Sequence, residues 1–178
     1  MLYYILGVMA ALVAALIVKG MLSPSTFRVE RSTVINGSPQ TIFAILNDFH
    51  QSVHWSPWEK KDLKMKQTIS GSPTGKGAIH EWDGNKDVGQ GREEIIESIP
   101  HSKVVVRLDF FRPFKGSNTA EFLLHSQGAS TKMTWIVYGP VNFIVRLIGL
   151  NMDKMIGKDF EAGLANMKAY VEGSGKAA

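Results

Sequence analysis

His80 and Trp82 stand two apart in AIHEWD, a segment whose alternation suits a β-strand, so both side chains share one face. A histidine beside an indole on an inward face can orient a carbonyl or exchange a proton with it. Glu81 and Asp83 take the opposite face by the same parity, and no carboxylate is evident on the histidine's own side. The alternative is a histidine satisfied within the core or at its rim. His50 and His54 are four apart on a short helical stretch, a spacing that can bind a metal, but no third ligand is evident and no metal site is expected. No Ser-His-Asp arrangement can be drawn. GNKDVGQG, Gly84 to Gly91, reads as a hairpin turn whose glycines supply positive φ, not as a phosphate loop. Arg107 and Asp109 pair on an outer strand face and need no chemistry. No catalytic residue and no cofactor is assigned.

A second group is HWSPWEKKD, His54 to Asp62, in which Trp55 and Trp58 flank a Ser-Pro. Pro57 ends the preceding helix and stiffens the loop. Two indoles in a stiff loop suit either a plug in the core or a closure at a wet edge, where an indole N–H finds a partner. The basic run Lys60 to Lys66 reads as a solvated edge, or as a contact for anionic headgroups.

The elements that must position these residues follow from periodicity. Phe27 to Asn36 is rich in β-branched residues and predicts a strand. Ser38-Pro39 caps and opens a helix running to about Asp48, with Ile42, Phe43, Leu46 and Phe49 at helical spacing. FHQSVHW predicts a second short helix. Then KMKQTIS, AIHEWD, REEIIESI, KVVVRLDF, AEFLLHS and TKMTWIVY predict short strands separated by turn signals, which is an antiparallel meander. VNFIVRLIGL predicts a short apolar helix, either a partner face or a segment that dips into a membrane. Asn151 caps a long helix carrying Met152, Met155, Ile156, Phe160, Leu164, Met167, Tyr170 and Val171 as one apolar stripe. Parity puts Val104, Val106, Leu108 and Phe110 on one face, with Ala120, Phe122 and Leu124, and Met133, Trp135 and Val137, on the corresponding faces of their strands. These apolar faces should meet the helix stripe, in an α+β architecture with a sheet curled around one helix.

Residues 2–18 carry no charge, and with Lys19 to Leu22 the segment makes about 30 Å of helix. Tyr3 and Tyr4 suit one interface and Lys19 can snorkel at the other. The reading is an uncleaved transmembrane anchor, 1–22, followed by a Ser-Pro-Ser linker, 23–26. A cleaved signal peptide is the rival, but no basic residue precedes the run and no small-x-small site follows it. Lys19, Arg28 and Arg31 follow the span, which places the following domain in the cytoplasm by the positive-inside rule. The net charge of +4 is spread thinly, which argues against nucleic acid as a partner. The absence of cysteine fits either side of a membrane.

VINGSPQTIFAILNDF, WSPW, WDGNKDVGQG, RLDFFRP, TKMTWIVYG and MDKMIGKDFEAGLANMKAY, in that order, resemble the START-like, helix-grip (SRPBCC) superfamily, in its polyketide cyclase/dehydrase and lipid-transport branch. The resemblance implies a helix-grip domain at 27–173, with about seven curved antiparallel strands around the C-terminal helix, two short helices after the first strand, and a disordered tail at 174–178. It also implies a cavity between sheet and helix for a hydrophobic small molecule or lipid, with WSPW at its open end. The expected lining is Trp55, Trp58, His80, Trp82, Leu108, Phe110, Phe122, Met133, Trp135, Met155, Phe160 and Leu164. The expected function is a membrane-anchored binding domain. The alternatives are a cyclase/aromatase-like enzyme, with His80 and Tyr138 as the residues to change, or an assembly protein whose interior is filled by its own side chains.

Overall fold

The computed structural model describes residues 1–141, 143–149 and 151–174. The expected tail lies outside these residues beyond Ser174. The element order is α1 (Leu2–Leu22), β1 (Thr26–Ile35), α2 (Pro39–Leu46), a 3-10 turn (Phe49–Gln51), α3 (Ser52–Trp55), β2 (Lys66–Gly71), β3 (Ala78–Asp83), β4 (Gln90–Ile99), β5 (Lys103–Arg112), β6 (Gly116–Gln127), β7 (Ser130–Pro140), α4 (Phe143–Ile148) and α5 (Met152–Ser174). The strands form one seven-stranded antiparallel sheet in the order β1-β7-β6-β5-β4-β3-β2. Hairpins link β2 to β7 in sequence, and β1 closes against β7 from Thr26↔Pro140 to Ile35↔Thr131. The fold is the expected α+β helix grip.

Local chemistry sets the element ends. The Ser38 hydroxyl accepts the Thr41 N–H at 3.1 Å, and Pro39 occupies the first helical position, where its missing N–H costs nothing. α2 stops at Leu46, short of the expected Asp48, because Asp48 is itself a cap: its carboxylate accepts the His50 N–H at 2.9 Å and starts the 3-10 turn that buries Phe49. Asp62 accepts the N–H of Lys64 at 3.0 Å and of Asn85 at 2.7 Å, tying the WSPW loop to the β3–β4 turn, so β2 begins only at Lys66. Asn85 accepts the N–H groups of Asp87 and Val88, and Gly89 turns at φ 75°, which makes GNKDVGQG the expected hairpin turn. Register shifts at Gln90/Gly91 and Ile95/Glu97 in β4 bend the sheet and give it its concave face.

α5 crosses that face over β1 and β7 and also packs on α3. Phe160, Leu164, Met167 and Val171 are buried against Val29, Ile35, Met133 and Trp135. Each such side chain stabilises the fold by roughly 1.5–3 kcal/mol. Arg31 reaches from β1 to α5 and donates to Asp153 and Glu161, both at 2.9 Å. The hydrogen bond to Asp153, then that to Glu161, raises the guanidinium pKa still further, and the Arg31 bond holds the Asp153 carboxyl below its usual range. Gly157 lies where any Cβ would strike the Arg31 guanidinium.

α1 is long and apolar enough to cross a membrane and is exposed along its length except at Gly20. Gly20 faces α4, where a Cβ would stand 3.2 Å from Leu147 Cδ1 and 3.5 Å from the Phe143 ring.

Candidate functional site

The concave face has two parts. Under α5 lies a cluster of five aromatic rings. Trp135 of β7 stacks on Phe160 of α5 with ring centres 4.2 Å apart and planes 4° from parallel. Trp55 sets its edge against Trp135 at 5.4 Å and Phe122 at 5.7 Å. Trp58 stands edge-on to Trp135 at 5.6 Å and to Phe160 at 6.3 Å. The loop residue between them, Pro57, packs on α5 at Gly163, where a Cβ would stand 3.1 Å from Pro57 Cδ and 2.8 Å from Trp135 Cζ3. Asn166 Nδ2 donates to the Trp55 carbonyl at 3.2 Å and fixes the start of the loop.

This divides the two tryptophans of WSPW. Trp55 is a core residue, 7% exposed, and plugs the interior behind the short helices. Trp58 is partly buried at the rim of the ring cluster. Both Trp55 and Trp135 bury their indole Nε1–H with no acceptor among the described residues. A buried donor left unpaired costs about 1–3 kcal/mol, so the two indoles are donors available to an acceptor oxygen.

Beyond α5, toward β3 and β4, the inner face carries His80, Trp82, Leu108 and Phe110. His80 and Trp82 do share the inner face. Trp82 lies across Gly91, where any Cβ would strike its ring, and meets Phe110 edge-on at 5.8 Å. Trp82, Leu108 and Phe110 are half-buried, while His80 is 5% exposed. The expectation that His80 lacks a carboxylate on its own face is corrected here. Glu93 of β4 is its register partner, and His80 Nδ1 lies 2.8 Å from Glu93 Oε1. On the other side, His80 Nε2 lies 2.8 Å from Gln67 Oε1, and Gln67 Nε2 donates to Glu59 at 2.8 Å.

The directions of these bonds follow from the donors. Gln67 gives its amide hydrogen to Glu59, so its oxygen accepts and His80 Nε2 carries a hydrogen. Nδ1 stands at hydrogen-bond distance from Glu93 Oε1. Both ring nitrogens are engaged, so His80 is a satisfied core histidine. In this relay the Glu93 side chain is 23% exposed, and Gln67 at the other end is exposed.

The other expected wall residues fall as follows. Phe122, Met133, Trp135, Phe160 and Leu164 are buried within the core. Met155 is 48% exposed and stands apart from them; Met152 and Ile156 hold the corresponding positions against the core. At about 100° per residue, Met155 falls outside the sector that Phe160, Leu164, Met167 and Val171 turn to the sheet, so it faces solvent. Tyr138 is on the outer face, where it donates to Glu121 at 2.8 Å; that bond, reinforced by burial, raises the phenol pKa. It cannot act in the interior. His50 bonds Asp48 at 2.9 Å and His54 stacks on Tyr170 at 4.4 Å. Among the described residues no group of three or more His, Asp or Glu is arranged to hold a metal.

The family model for polyketide cyclase / dehydrase and lipid transport matches residues 26–172. The chain belongs to that family. The match spans every strand and α2 to α5, and leaves α1 outside. No curated protein matches the chain. Among solved structures, the di-domain ARO/CYC StfQ from the steffimycin biosynthetic pathway superimposes with a TM-score of 0.64 at 10% identity, over 85% of this chain and 52% of that one. The Aha1 dimer from Colwellia psychrerythraea gives 0.58 at 17% identity, over 82% and 96%. The major latex-like protein 151 from Panax ginseng gives 0.59 at 12% identity, over 83% and 99%. At these identities the likeness establishes the shared fold. A family of cyclases and binding proteins supports a hydrophobic-ligand-binding or cyclase-like fold, and the site's own chemistry must choose between them.

Proposed function

We propose that the protein is a membrane-anchored binding domain for a hydrophobic small molecule or lipid that carries one hydrogen-bond acceptor. In this reading α1 holds the chain in a bilayer as a single pass, 23–26 is the linker, 27–173 is the binding domain, and Lys19, Arg28 and Arg31 orient it to the cytoplasm. The observation that carries the reading is the pair of buried indole donors, Trp55 and Trp135, left without acceptors inside a cage of aromatic rings. A carbonyl or hydroxyl oxygen would take the N–H groups while the apolar body of the ligand replaces ring-ring contact. Trp58, the half-buried member, is the ring that must swing to admit it. Tethering raises the effective concentration of a membrane-dissolved ligand at the site.

The test is native mass spectrometry of the full chain released from membranes, followed by solvent extraction. A retained apolar compound, lost in Trp135→Phe and Trp55→Phe, is the expected result. A wild-type chain that carries nothing and takes up nothing from a lipid extract would sink the reading in favour of a filled core.

A cyclase-like enzyme is the second reading, favoured by Glu93 beside His80 on the inner face. There Glu93 would exchange a proton with substrate while His80 positions it. Glu93→Gln should then abolish turnover and leave ligand retention unchanged; retained turnover would exclude this reading.

A further inference from the structure

A cleft of about 470 Å³ lies where α1 meets the domain, apart from the ring cluster and from the face that carries His80 and Trp82. Its walls are the last turn of α1, the linker, the first residues of β1 and the stretch between α4 and α5. Phe27, Val29, Val141 and Met152 supply an apolar lining. Lys19, Arg28 and Arg146 supply cations. The carboxylate in the wall, Asp153, is already bound by Arg31 at 2.9 Å, and Arg28 is shared with Glu30 at 2.8 Å. Among the described residues neither Lys19 nor Arg146 has a carboxylate partner.

Arg146 is held by two backbone carbonyls, and its guanidinium stands 6.0 Å from the centre of the Phe143 ring. Its Nη2 donates to the carbonyls of Met21 and Ser23, at 2.9 and 2.7 Å, which closes the C-terminal end of α1. Its Nε is buried with no acceptor. An oriented guanidinium with an unused donor, a nearby ammonium and an apolar lining form a site for an anionic group attached to hydrocarbon.

The surroundings indicate where that molecule comes from. β1 and β6 begin, and β5 and β7 end, at the edge of the sheet that bears α1. At that edge Phe111, near the end of β5, and Phe114, in the β5–β6 turn, are 44% and 41% exposed, and Phe143, Ile144 and Ile148 of α4 are 47%, 50% and 56% exposed. An edge with exposed rings and branched aliphatic residues, continuous with an apolar helix able to cross a bilayer, faces the acyl boundary, and Lys19 then sits at headgroup depth.

We propose that this cleft binds the headgroup of an anionic phospholipid, with the phosphate on Lys19 and Arg146 and the upper acyl chain on Phe27 and Met152. The proposal rests on the reading of α1 as a bilayer anchor, and it names a lipid of the surrounding membrane as ligand of a second site.

The full chain is placed in nanodiscs of phosphatidylcholine with or without phosphatidylglycerol, and the lipids retained on ejection are read by native mass spectrometry. Phosphatidylglycerol should be retained in preference to phosphatidylcholine. Lys19→Gln should weaken that retention roughly fivefold, and Lys19→Gln with Arg146→Gln about thirtyfold, from the typical worth of each cation near a membrane surface. Because Arg146 also closes α1, Arg146→Lys serves as the charge-preserving control and should keep most of the preference. Equal retention of the two lipids, or a double variant that behaves as wild type, would overturn the site. Displacement of the lipid by inorganic phosphate alone would overturn the lipid assignment in favour of a free anion. A chain stripped from membranes by alkaline carbonate would overturn the anchor and this site together. Loss of the apolar compound in Trp135→Phe with phosphatidylglycerol retention intact separates the two sites, and the concave-face reading can fail while this one stands.

Discussion

Two glycines on α5 test how the helix meets the sheet. Both Gly157 and Gly163 are buried in the helix interior, and replacing either with alanine should favour the helical backbone by about 1 kcal/mol. The new methyl groups meet different neighbours. At 157 the methyl strikes the end of Arg31, a flexible side chain that can swing outward, and the exposed ion pairs it gives up contribute little. At 163 it stands 2.8 Å from Trp135 Cζ3 and 3.1 Å from Pro57 Cδ. Trp135 cannot retreat, because Phe160 is stacked on it at 4.2 Å and Trp55 and Trp58 hold its edges. Overpacking of this kind costs about 1–3 kcal/mol. Gly163→Ala should therefore be less stable than Gly157→Ala by roughly 1–3 kcal/mol, or about 2–12 °C in thermal midpoint for a chain of this size. Thermal unfolding of the full chain in detergent, followed by tryptophan fluorescence, measures the difference. Trp135→Phe removes the nearer atom struck and leaves the Pro57 contact, so Gly163→Ala should cost clearly less in that background. Equal midpoints for the two alanine variants, or no rescue by Trp135→Phe, would refute direct packing of α5 on Trp135 and with it the requirement that a ligand displace rings to enter.

The remaining expectations concern the relay, the rim and the lock between β1 and α5. His80→Phe leaves Gln67 and Glu93 without their shared partner and should destabilise the fold by about 1–3 kcal/mol, partly recovered by Glu93→Leu in the same chain, as read by urea unfolding. Trp58→Ala should weaken ligand retention while shifting the thermal midpoint less than Trp55→Ala, because Trp58 is only half-buried; the reverse order would place the admitting ring elsewhere. Asp153 has a folded-state pKa lowered by Arg31, so its contribution is fully present above the ordinary carboxylate value, near pH 4, and is lost as pH falls through the lowered value. Midpoints of wild type and Asp153→Asn should differ at neutral pH and converge in acid; a gap that persists at low pH would show that Asp153 acts by packing alone.

Much of the architecture was legible in local pattern. Ser38-Pro39 and Asn151 state their caps in side-chain chemistry, and Asn85 to Gly89 states its turn. Period-two alternation in Val104 to Phe110 and in Thr131 to Val137 named the inner face, because side-chain direction along a strand depends only on the residue's own position. The pairing of His80 with Glu93 was not legible in the same way. Glu93 lies in REEIIESI, where both parities carry carboxylates, and the register shift at Ile95/Glu97 reverses the phase along β4. The inward position of Ile95 is the signal that, counted back by two, puts Glu93 beside the histidine.

Met155 and Trp55 make the same point on helix and loop. A stripe of steps of three and four marks a sector of a helix and leaves its edge to the contacts, and the packing of Phe160, Leu164, Met167 and Val171 on the sheet left Met155 exposed. WSPW offered a plug or a closure; α5 took Pro57 and Trp135 into contact at Gly163 and so drove Trp55 into the core and left Trp58 at the rim. The sequence by itself determined the elements, their inward faces, the order of a meander and a helix fit to cross a bilayer, because these depend on neighbours within a few residues. Only the tertiary structure decided the contact between His80 and Glu93, the two indole donors without acceptors, and the meeting of Arg146 with the end of α1. Each joins residues brought together by strand register or helix docking, and such contacts are set by the packing of the whole sheet, not by any one segment.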